Sequence, residues 1–179
     1  MSYALPQVLI CEQEIEAKVN DLALQISRDY RDVDDLMLVG VLKGSFIFLA
    51  DLARRLDVAH IVDFIAVSTY ANVTTTDGAV RMILDLRSSI AGKHVLLIED
   101  IVDSGYTMAY LVETLRAREP ASLKTCVLIH KPTCTKMPAQ IDYLGFELPD
   151  RWLVGYGLDW AEKYRTLPYI GVLDSAEKD

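Results

Sequence analysis

The stretch "HVLLIEDIVDSGYTM", from His94 to Met108, decides the fold class of this sequence. It opens with nearly continuous apolar residues, which predict a strand that is buried on both faces. Two adjacent carboxylates, Glu99 and Asp100, follow, and then a third at Asp103 and a small polar turn. So much negative charge at the end of a buried strand is costly, and we therefore expect it to serve a ligand.

Further apolar strands alternate with amphipathic helices on both sides of this stretch. The predicted helices are "EIEAKVNDLALQISRDY", "SFIFLADLARRL" and "TMAYLVETLRAR", the last with Thr107 as a cap, and the predicted strands include "LMLVGVL", "HIVDFIAV" and "LKTCVLI". The polar segment "STYANVTTTDGAV" is predicted to be a surface loop or a loose hairpin. This alternation predicts one α/β domain over residues 1–179, with a mainly parallel twisted sheet flanked by helices.

The composition points to a soluble, cytoplasmic protein. The net charge of −8 argues against a general nucleic-acid or membrane surface, so an anionic ligand would need local contacts. Three cysteines without a C-x-x-C pair fit reduced thiols. The N-terminus does not resemble a signal peptide, and no apolar stretch is long enough to span a bilayer.

The pentapeptide "DSGYT" joins the central strand to the next helix. Gly105 permits a tight turn, and the unpaired N–H groups of a helix N-terminus favour an anion such as a phosphate. The pentapeptide alone fits an ordinary capped turn equally well. The acidic pair Glu99 and Asp100 favours a ligand, because its repulsion needs compensation by a divalent cation, by hydroxyl donors or by a basic partner. A magnesium-bound sugar phosphate would supply two of these; the alternative is a solvated loop with spare charge.

"VLLIEDIVDSGYT" resembles the signature of the type I phosphoribosyltransferases, which bind 5-phosphoribosyl-1-pyrophosphate. Three further segments, in the right order, are similar to the hypoxanthine-guanine group of that family: "VLKGSFIFLADL", "HKP" and "WLVGYGLDWAEKYRTLPYIGVL". The resemblance covers most of the chain and implies the family's fold, with a small purine-binding hood beside the sheet.

The resemblance also implies a role for each matching residue. Glu99 and Asp100 would face the ribose hydroxyls and seat a Mg²⁺, and Asp103 would act as general base or acid at N7 of the purine. The turn would bind the 5′-phosphate through Ser104, Gly105, Tyr106 and Thr107. Lys43, Gly44 and Arg165 would hold pyrophosphate, with the Leu42–Lys43 peptide cis in some members. Lys131, Trp152, Leu153 and Asp159 would line the purine site, Asp159 also serving a second Mg²⁺.

The lid of the family usually carries a Ser-Tyr pair, whereas this chain has Thr69-Tyr70-Ala71. Thr69 keeps the hydroxyl group but is stiffer at χ1, and Ala71 restricts the backbone. None of the three histidines stands at a catalytic position of the family, and their spacing indicates no zinc site.

The implied reaction is purine salvage. N9 of hypoxanthine, and of guanine, attacks C1 of the donor, and IMP or GMP and pyrophosphate form in a homodimer or homotetramer. Three alternatives stay open: a phosphoribosyltransferase for another base, a non-catalytic nucleotide sensor, and a flavodoxin-like or receiver-like domain. Asp103 and Lys131, together with the segment 152–159, favour the 6-oxopurine enzyme.

Overall fold

A computed structural model describes residues 5–70 and 79–173 of the chain. The elements follow in the order β1 (Gln7–Ile10), α1 (Glu12–Asp29), β2 (Leu36–Leu42), α2 (Phe46–Ala53), β3 (His60–Tyr70), β4 (Ala79–Leu84), β5 (His94–Val102), α3 (Tyr106–Arg116), β6 (Ser122–His130), β7 (Tyr143–Glu147), β8 (Leu153–Val154) and β9 (Ile170–Val172).

Six strands form the main sheet in the order β4-β3-β2-β5-β6-β7. All neighbouring pairs are parallel except β3 and β4, which are antiparallel. The central strands β2 and β5 are buried over nearly their whole length, as the apolar run of β2 and the apolar first half of β5 predict. The predicted α/β fold with a mainly parallel sheet is thus confirmed.

Each face of the sheet is covered by a helical layer, and alternation along the strands divides the core. On β5, Leu96 and Ile98 point into the cluster built with α1 and α2, whereas Val95 and Leu97 point into the cluster built with α3. Because both faces are filled, the open edge for a ligand is the one where the carboxyl ends of the parallel strands meet.

A small second sheet, in the order β1-β9-β8, is antiparallel and stands at that edge. It agrees with the implied hood. The strand β1 was not among the sequence-based elements, because its four residues are mostly exposed and pair with a strand about 160 positions later in the chain. Pairing at such distance leaves no local signal.

Two predictions need correction or limitation. Thr107 is not the cap of α3: the N-cap is Gly105, with φ of 85°, and Thr107 lies inside the first turn. The polar segment after β3 is partly a hairpin, since β3 continues to Tyr70 and pairs with β4. Its remaining residues, 71–78, lie outside the described residues.

Candidate active site

The carboxyl ends of β2, β5 and β6 lie side by side, because β5 pairs in parallel with both neighbours. The segments that follow these strands therefore meet at one edge of the sheet. They carry Lys43 and Gly44 after β2, Asp103 and the turn after β5, and Lys131 after β6. The fold thus brings together three of the four sequence segments that were singled out.

The turn between β5 and α3 is fixed by its neighbour, the loop after β6. The backbone N–H groups of Lys136 and Met137 both donate to the carbonyl oxygen of Ser104, at 3.0 and 3.1 Å. A Cβ on Gly105 would lie 2.3 Å from the carbonyl oxygen of Met137, so the close approach requires glycine. A cavity of about 200 Å³ opens above the turn and is lined by Glu99, Ile101, Val102, Asp103, Ser104, Gly105, Thr107 and Met108. This cavity suits a phosphate group at a helix N-terminus.

The acidic pair lies inside the second half of β5, which continues to Val102 instead of ending at the pair as the sequence suggested, and it is buried. Glu99 and Asp100 are each only 8% exposed, and Oε2 of Glu99 has no hydrogen-bond partner among the described residues. Burial, and then the charge of Asp100, hold the pKa of Glu99 well above its usual range. Burial raises the pKa of Asp100 to about 6, although backbone N–H groups and Arg165 oppose the rise. Ionising these two carboxyl groups is costly while no ligand is bound beside them. A polar or cationic ligand would lower that cost, so the pair is suited to bind one.

Asp103 and Lys131 form an ion pair, with Lys131 Nζ 3.1 Å from Asp103 Oδ2. Lys131 is 6% exposed, whereas half of the Asp103 side chain is accessible. A second carboxylate, that of Asp150, lies 3.7 Å from the same Nζ. The pair borders a cavity of about 310 Å³, which is lined by Asp100, Ile101, Asp103, Lys131, Asp150, Trp152, Leu153, Leu158 and Asp159. Trp152, 48% exposed, presents an aromatic surface to this cavity.

The loop after β2 packs tightly on the acidic pair. The Leu42–Lys43 peptide is cis. A Cβ on Gly44 would lie 1.8 Å from Asp100 Oδ2, and one on Gly157 would lie 1.9 Å from the carbonyl oxygen of Gly44. The segments that contain Gly44, Asp100 and Gly157 therefore meet at one point. They can approach so closely because two of them contribute a glycine there.

Arg165 connects this corner to the hood. Its Nη1 donates to the carbonyl oxygen of Gly157 at 2.8 Å, and its Nη2 lies 2.7 Å from Asp159 Oδ1. Its Nε is buried without a partner in the described part of the chain. The charges of Arg165 and Asp159 both act on the pKa of Asp100, so residues that the resemblance assigns to the pyrophosphate side lie near the acidic pair.

The structure brings the predicted phosphate, ribose, purine and pyrophosphate residues to one edge. Thr69 and Tyr70, which the resemblance assigns to the lid, lie at the end of β3, but their side chains and residues 71–78 are outside the described residues. Sequence reasoning missed Asp150 and Gly157, whose roles depend on contacts with residues 19 and 113 positions away.

The residues suit a magnesium ion that is held jointly by the protein and a bound phosphate ligand. Across residues 5–70 and 79–173, no group of three or more acidic, histidine or cysteine side chains forms a ready-made cation site. Mg²⁺ commonly keeps several waters and uses one or two carboxylates together with substrate phosphates. The unpartnered Oε2 of Glu99 and the buried Asp100 are suitable carboxylates for such a shared site.

Gly44→Ala is expected to weaken binding of a pyrophosphate-bearing ligand at least about tenfold, because the new methyl group would displace the Asp100 carboxylate. Titration calorimetry with the phosphoribosyl donor measures this. Gly92→Ala is the control: Gly92 has φ of 73° and, among the described residues, nothing within 4 Å of an added Cβ. It should cost about 1 kcal/mol of stability and leave binding unchanged. Equal donor affinity in wild type and Gly44→Ala would contradict the packing argument.

The raised pKa of Asp100 has a consequence for stability. The folded-state pKa of about 6 exceeds the usual 3.8, so this group's stabilising contribution is present below pH 4 and is lost as pH rises toward 6. The loss corresponds to roughly 3 kcal/mol. Asp100→Asn should therefore reduce the fall in the free energy of unfolding between pH 4 and 6, measured by urea denaturation with EDTA, and leave the part that the raised pKa of Glu99 contributes.

The control for this experiment is Asp85→Asn, because a hydrogen bond from Arg118 lowers the pKa of Asp85. That variant should keep the fall between pH 4 and 6. Parallel curves for wild type and Asp100→Asn would refute the assignment of the fall to Asp100.

Comparisons with known proteins agree with this geometry. The Phosphoribosyl transferase domain family matches residues 10–160, and the chain belongs to this family. The chain is 47% identical over 176 residues to the hypoxanthine-guanine phosphoribosyltransferase of Bacillus subtilis (strain 168), covering 98% of this chain and 97% of that protein. It is 45% identical over 166 residues to the hypoxanthine phosphoribosyltransferase of Escherichia coli (strain K12), covering 92% and 93%.

Solved structures give the same result. A crystal structure of a hypoxanthine-guanine phosphoribosyltransferase from Bacillus anthracis aligns with a TM-score of 0.90 at 42% identity, covering 96% of this chain and all of that chain. A hypoxanthine phosphoribosyltransferase from Trypanosoma cruzi aligns with a TM-score of 0.91 at 41% identity, covering 98% and 95%.

Among the helices of residues 5–70 and 79–173, none is both long and apolar enough to cross a membrane.

Proposed function

We propose that the protein is a 6-oxopurine phosphoribosyltransferase of purine salvage. It would transfer the 5-phosphoribosyl group from 5-phosphoribosyl-1-pyrophosphate to N9 of hypoxanthine or guanine, giving IMP or GMP and pyrophosphate, with Mg²⁺ as cofactor. The observation that carries this proposal is the Asp103–Lys131 pair, which borders one cavity with an aromatic wall and adjoins a second cavity at a helix N-terminus.

The two cavities and the acidic pair would divide the donor between them. The 5′-phosphate would bind the N–H groups and hydroxyls of residues 104–107, and the ribose hydroxyls would donate to Glu99 and Asp100. The pyrophosphate would bind Lys43, the backbone at Gly44, and Arg165. Asp159 lies beside Arg165 and is the third carboxylate we assign to a metal on the pyrophosphate side.

The purine would enter the cavity of about 310 Å³. Lys131 would donate a hydrogen bond to the 6-oxo group, and Trp152 would stack on the ring. Leu153 is buried in β8, so its backbone is the part suited to the purine edge. Because the exocyclic O6 and the ring atom N7 lie on the same edge of the purine, a lysine and a carboxylate 3.1 Å apart match them together.

Asp103 would act as the general base or acid for the N7 proton while N9 attacks C1 and the bond from C1 to pyrophosphate breaks. The ribose ring gains positive charge in the transition state, and the carboxylates at the end of β5 would stabilise it. Glu99, Asp100 and Asp159 would hold Mg²⁺, which would supply positive charge beside the pyrophosphate. Lys43 and Arg165 would add to that effect through direct hydrogen bonds.

The direct test is a set of incubations of the protein with 5-phosphoribosyl-1-pyrophosphate, with and without Mg²⁺, and one base at a time. We expect nucleotide and pyrophosphate in equal amounts with hypoxanthine and guanine, and only with the metal. Product from adenine, orotate or uracil alone would instead favour a phosphoribosyltransferase for another base. Binding of nucleotide without turnover of any base would favour a sensor.

We also propose a single domain that acts in the cytoplasm as a homodimer or homotetramer. The support for the oligomer is a set of exposed apolar side chains on β3 and β4, which a second copy could cover: Ile61, Val62, Ile83 and Leu84. Light scattering coupled to size-exclusion chromatography measures the number of copies.

A further inference from the structure

Glu162 is a carboxylate that lies among the cations assigned to pyrophosphate. A single oxygen, Glu162 Oε2, lies 3.0 Å from Lys43 Nζ and 3.3 Å from Arg165 Nη2. The hydrogen bond from Lys43, and then that from Arg165, lower the pKa of Glu162, so its carboxyl group is ionised at neutral pH. In the free protein, a negative oxygen thus bridges the two cations that a phosphate oxygen would contact.

The backbone of a short turn holds Glu162 in this place. Its N–H donates to Asp159 Oδ2 at 2.8 Å, and Trp160 and Lys163 exchange backbone hydrogen bonds around it. Glu162 itself has φ of 62°, and Ala161 next to it has φ of 50°. Left-handed backbone at neighbouring non-glycine residues is uncommon and is found where the surrounding structure imposes it.

We propose that the Glu162 carboxylate occupies the position of a pyrophosphate oxygen in the free protein and is displaced when a pyrophosphate group binds. This inference rests on the proposed function, because it takes Lys43 and Arg165 as the pyrophosphate ligands. Glu162 then sets the affinity for pyrophosphate and donor by competing with them.

The exposure of the contact decides its strength. The side chains of Lys43 and Glu162 are both 64% exposed, and exposed ion pairs are weak because water and salt screen them. A bivalent phosphate group with several charged oxygens can therefore displace one carboxylate. Competition of this strength should change pyrophosphate affinity by about two- to fivefold and should not abolish binding.

The alternative to competition is support: Glu162 would orient Lys43 and Arg165 for the ligand. The two roles predict opposite signs for Glu162→Gln, which removes the charge and keeps the shape. Competition predicts tighter binding of pyrophosphate, whereas support predicts weaker binding. A gain of affinity is also a result that local damage to the fold would not produce.

The experiment is titration calorimetry of the full chain with inorganic pyrophosphate in the presence of Mg²⁺, and separately with IMP. The control is Glu119→Gln, because Glu119 is an exposed glutamate with nearly the same backbone conformation, φ of 56°, and its replacement changes the net charge equally. We expect Glu162→Gln to bind pyrophosphate about two- to fivefold more tightly and IMP unchanged, with Glu119→Gln like wild type on both.

Unchanged or weaker pyrophosphate binding by Glu162→Gln would overturn the proposal, as would an equal gain in Glu119→Gln. Glu162→Ala serves as a second variant and should also gain affinity. Failure of the proposed function has a different signature: wild type would bind neither IMP nor pyrophosphate. Wild type that binds both ligands, without a gain in either Glu162 variant, would reject the competition alone.

Discussion

Asp103→Asn is expected to lower kcat for hypoxanthine by about 10²-fold or more, and to change the affinity for the phosphoribosyl donor by less than about threefold. General acid–base groups typically contribute 10²- to 10⁴-fold, and asparagine keeps the shape of the side chain but cannot carry the proton. The hydrogen bond to Lys131 can survive, because the amide oxygen still accepts it. Steady-state kinetics and donor titration separate the two effects.

Asp150→Asn is the matched control for this variant. Asp150 also approaches Lys131 Nζ, at 3.7 Å, but its side chain is largely exposed at the rim of the cavity. It should lower kcat by less than about threefold. Equal losses of kcat and donor affinity in Asp103→Asn would count against an acid–base role.

Lys131→Ala is expected to lower kcat/KM for hypoxanthine and guanine by about 10- to 100-fold. A hydrogen bond to a charged group contributes about 1.5–3 kcal/mol, and the loss would also leave the 6-oxo group without a donor in a desolvated site. Adenine, which carries an amino group at that position, should lose little or even gain. The relevant measurement is kcat/KM for each base at saturating donor.

Lys136→Ala controls for the loss of a positive charge near the site, because Lys136 is exposed and follows Lys131 in the same loop. Its kcat/KM values should stay close to those of wild type. The purine assignment of Lys131 would be wrong if the oxopurine and adenine kinetics of Lys131→Ala were both unchanged.

The main sheet could be predicted because the sequence of each of its central strands carries a local apolar pattern. The sequence of β2 and the first half of β5, Val95–Ile98, are continuously apolar, and that pattern is typical of strands covered on both faces. The short strand β1 escaped prediction, and so did the pairing within the small sheet, since pairing of residues 7–10 with 170–172 depends on contacts that no window of sequence contains. The cap at Gly105 was missed because a hydroxyl group at Thr107 is a common N-cap, whereas here the approach of Met137 requires a glycine before it.

The site divides in a similar way. Acidic residues at the end of an apolar strand were visible in one short stretch, and so was the turn that follows them. The purine and pyrophosphate roles came from the resemblance to a family, because Lys131, Trp152 and Arg165 are unremarkable when taken singly. The contact of Glu162 with Lys43 joins residues 119 positions apart, and only the folded chain reveals it.

The meeting of Gly44, Gly157 and Asp100 sets a limit for anyone who wishes to redesign the enzyme. Any side chain larger than hydrogen at either glycine would intrude on the neighbouring segment, so this corner offers no room for new chemistry. The opposite wall, residues 150–153, is open to solvent at Asp150 and Trp152. Under the proposed purine assignment, attempts to alter which heterocycle is accepted should therefore randomise that wall and leave the crowded corner untouched.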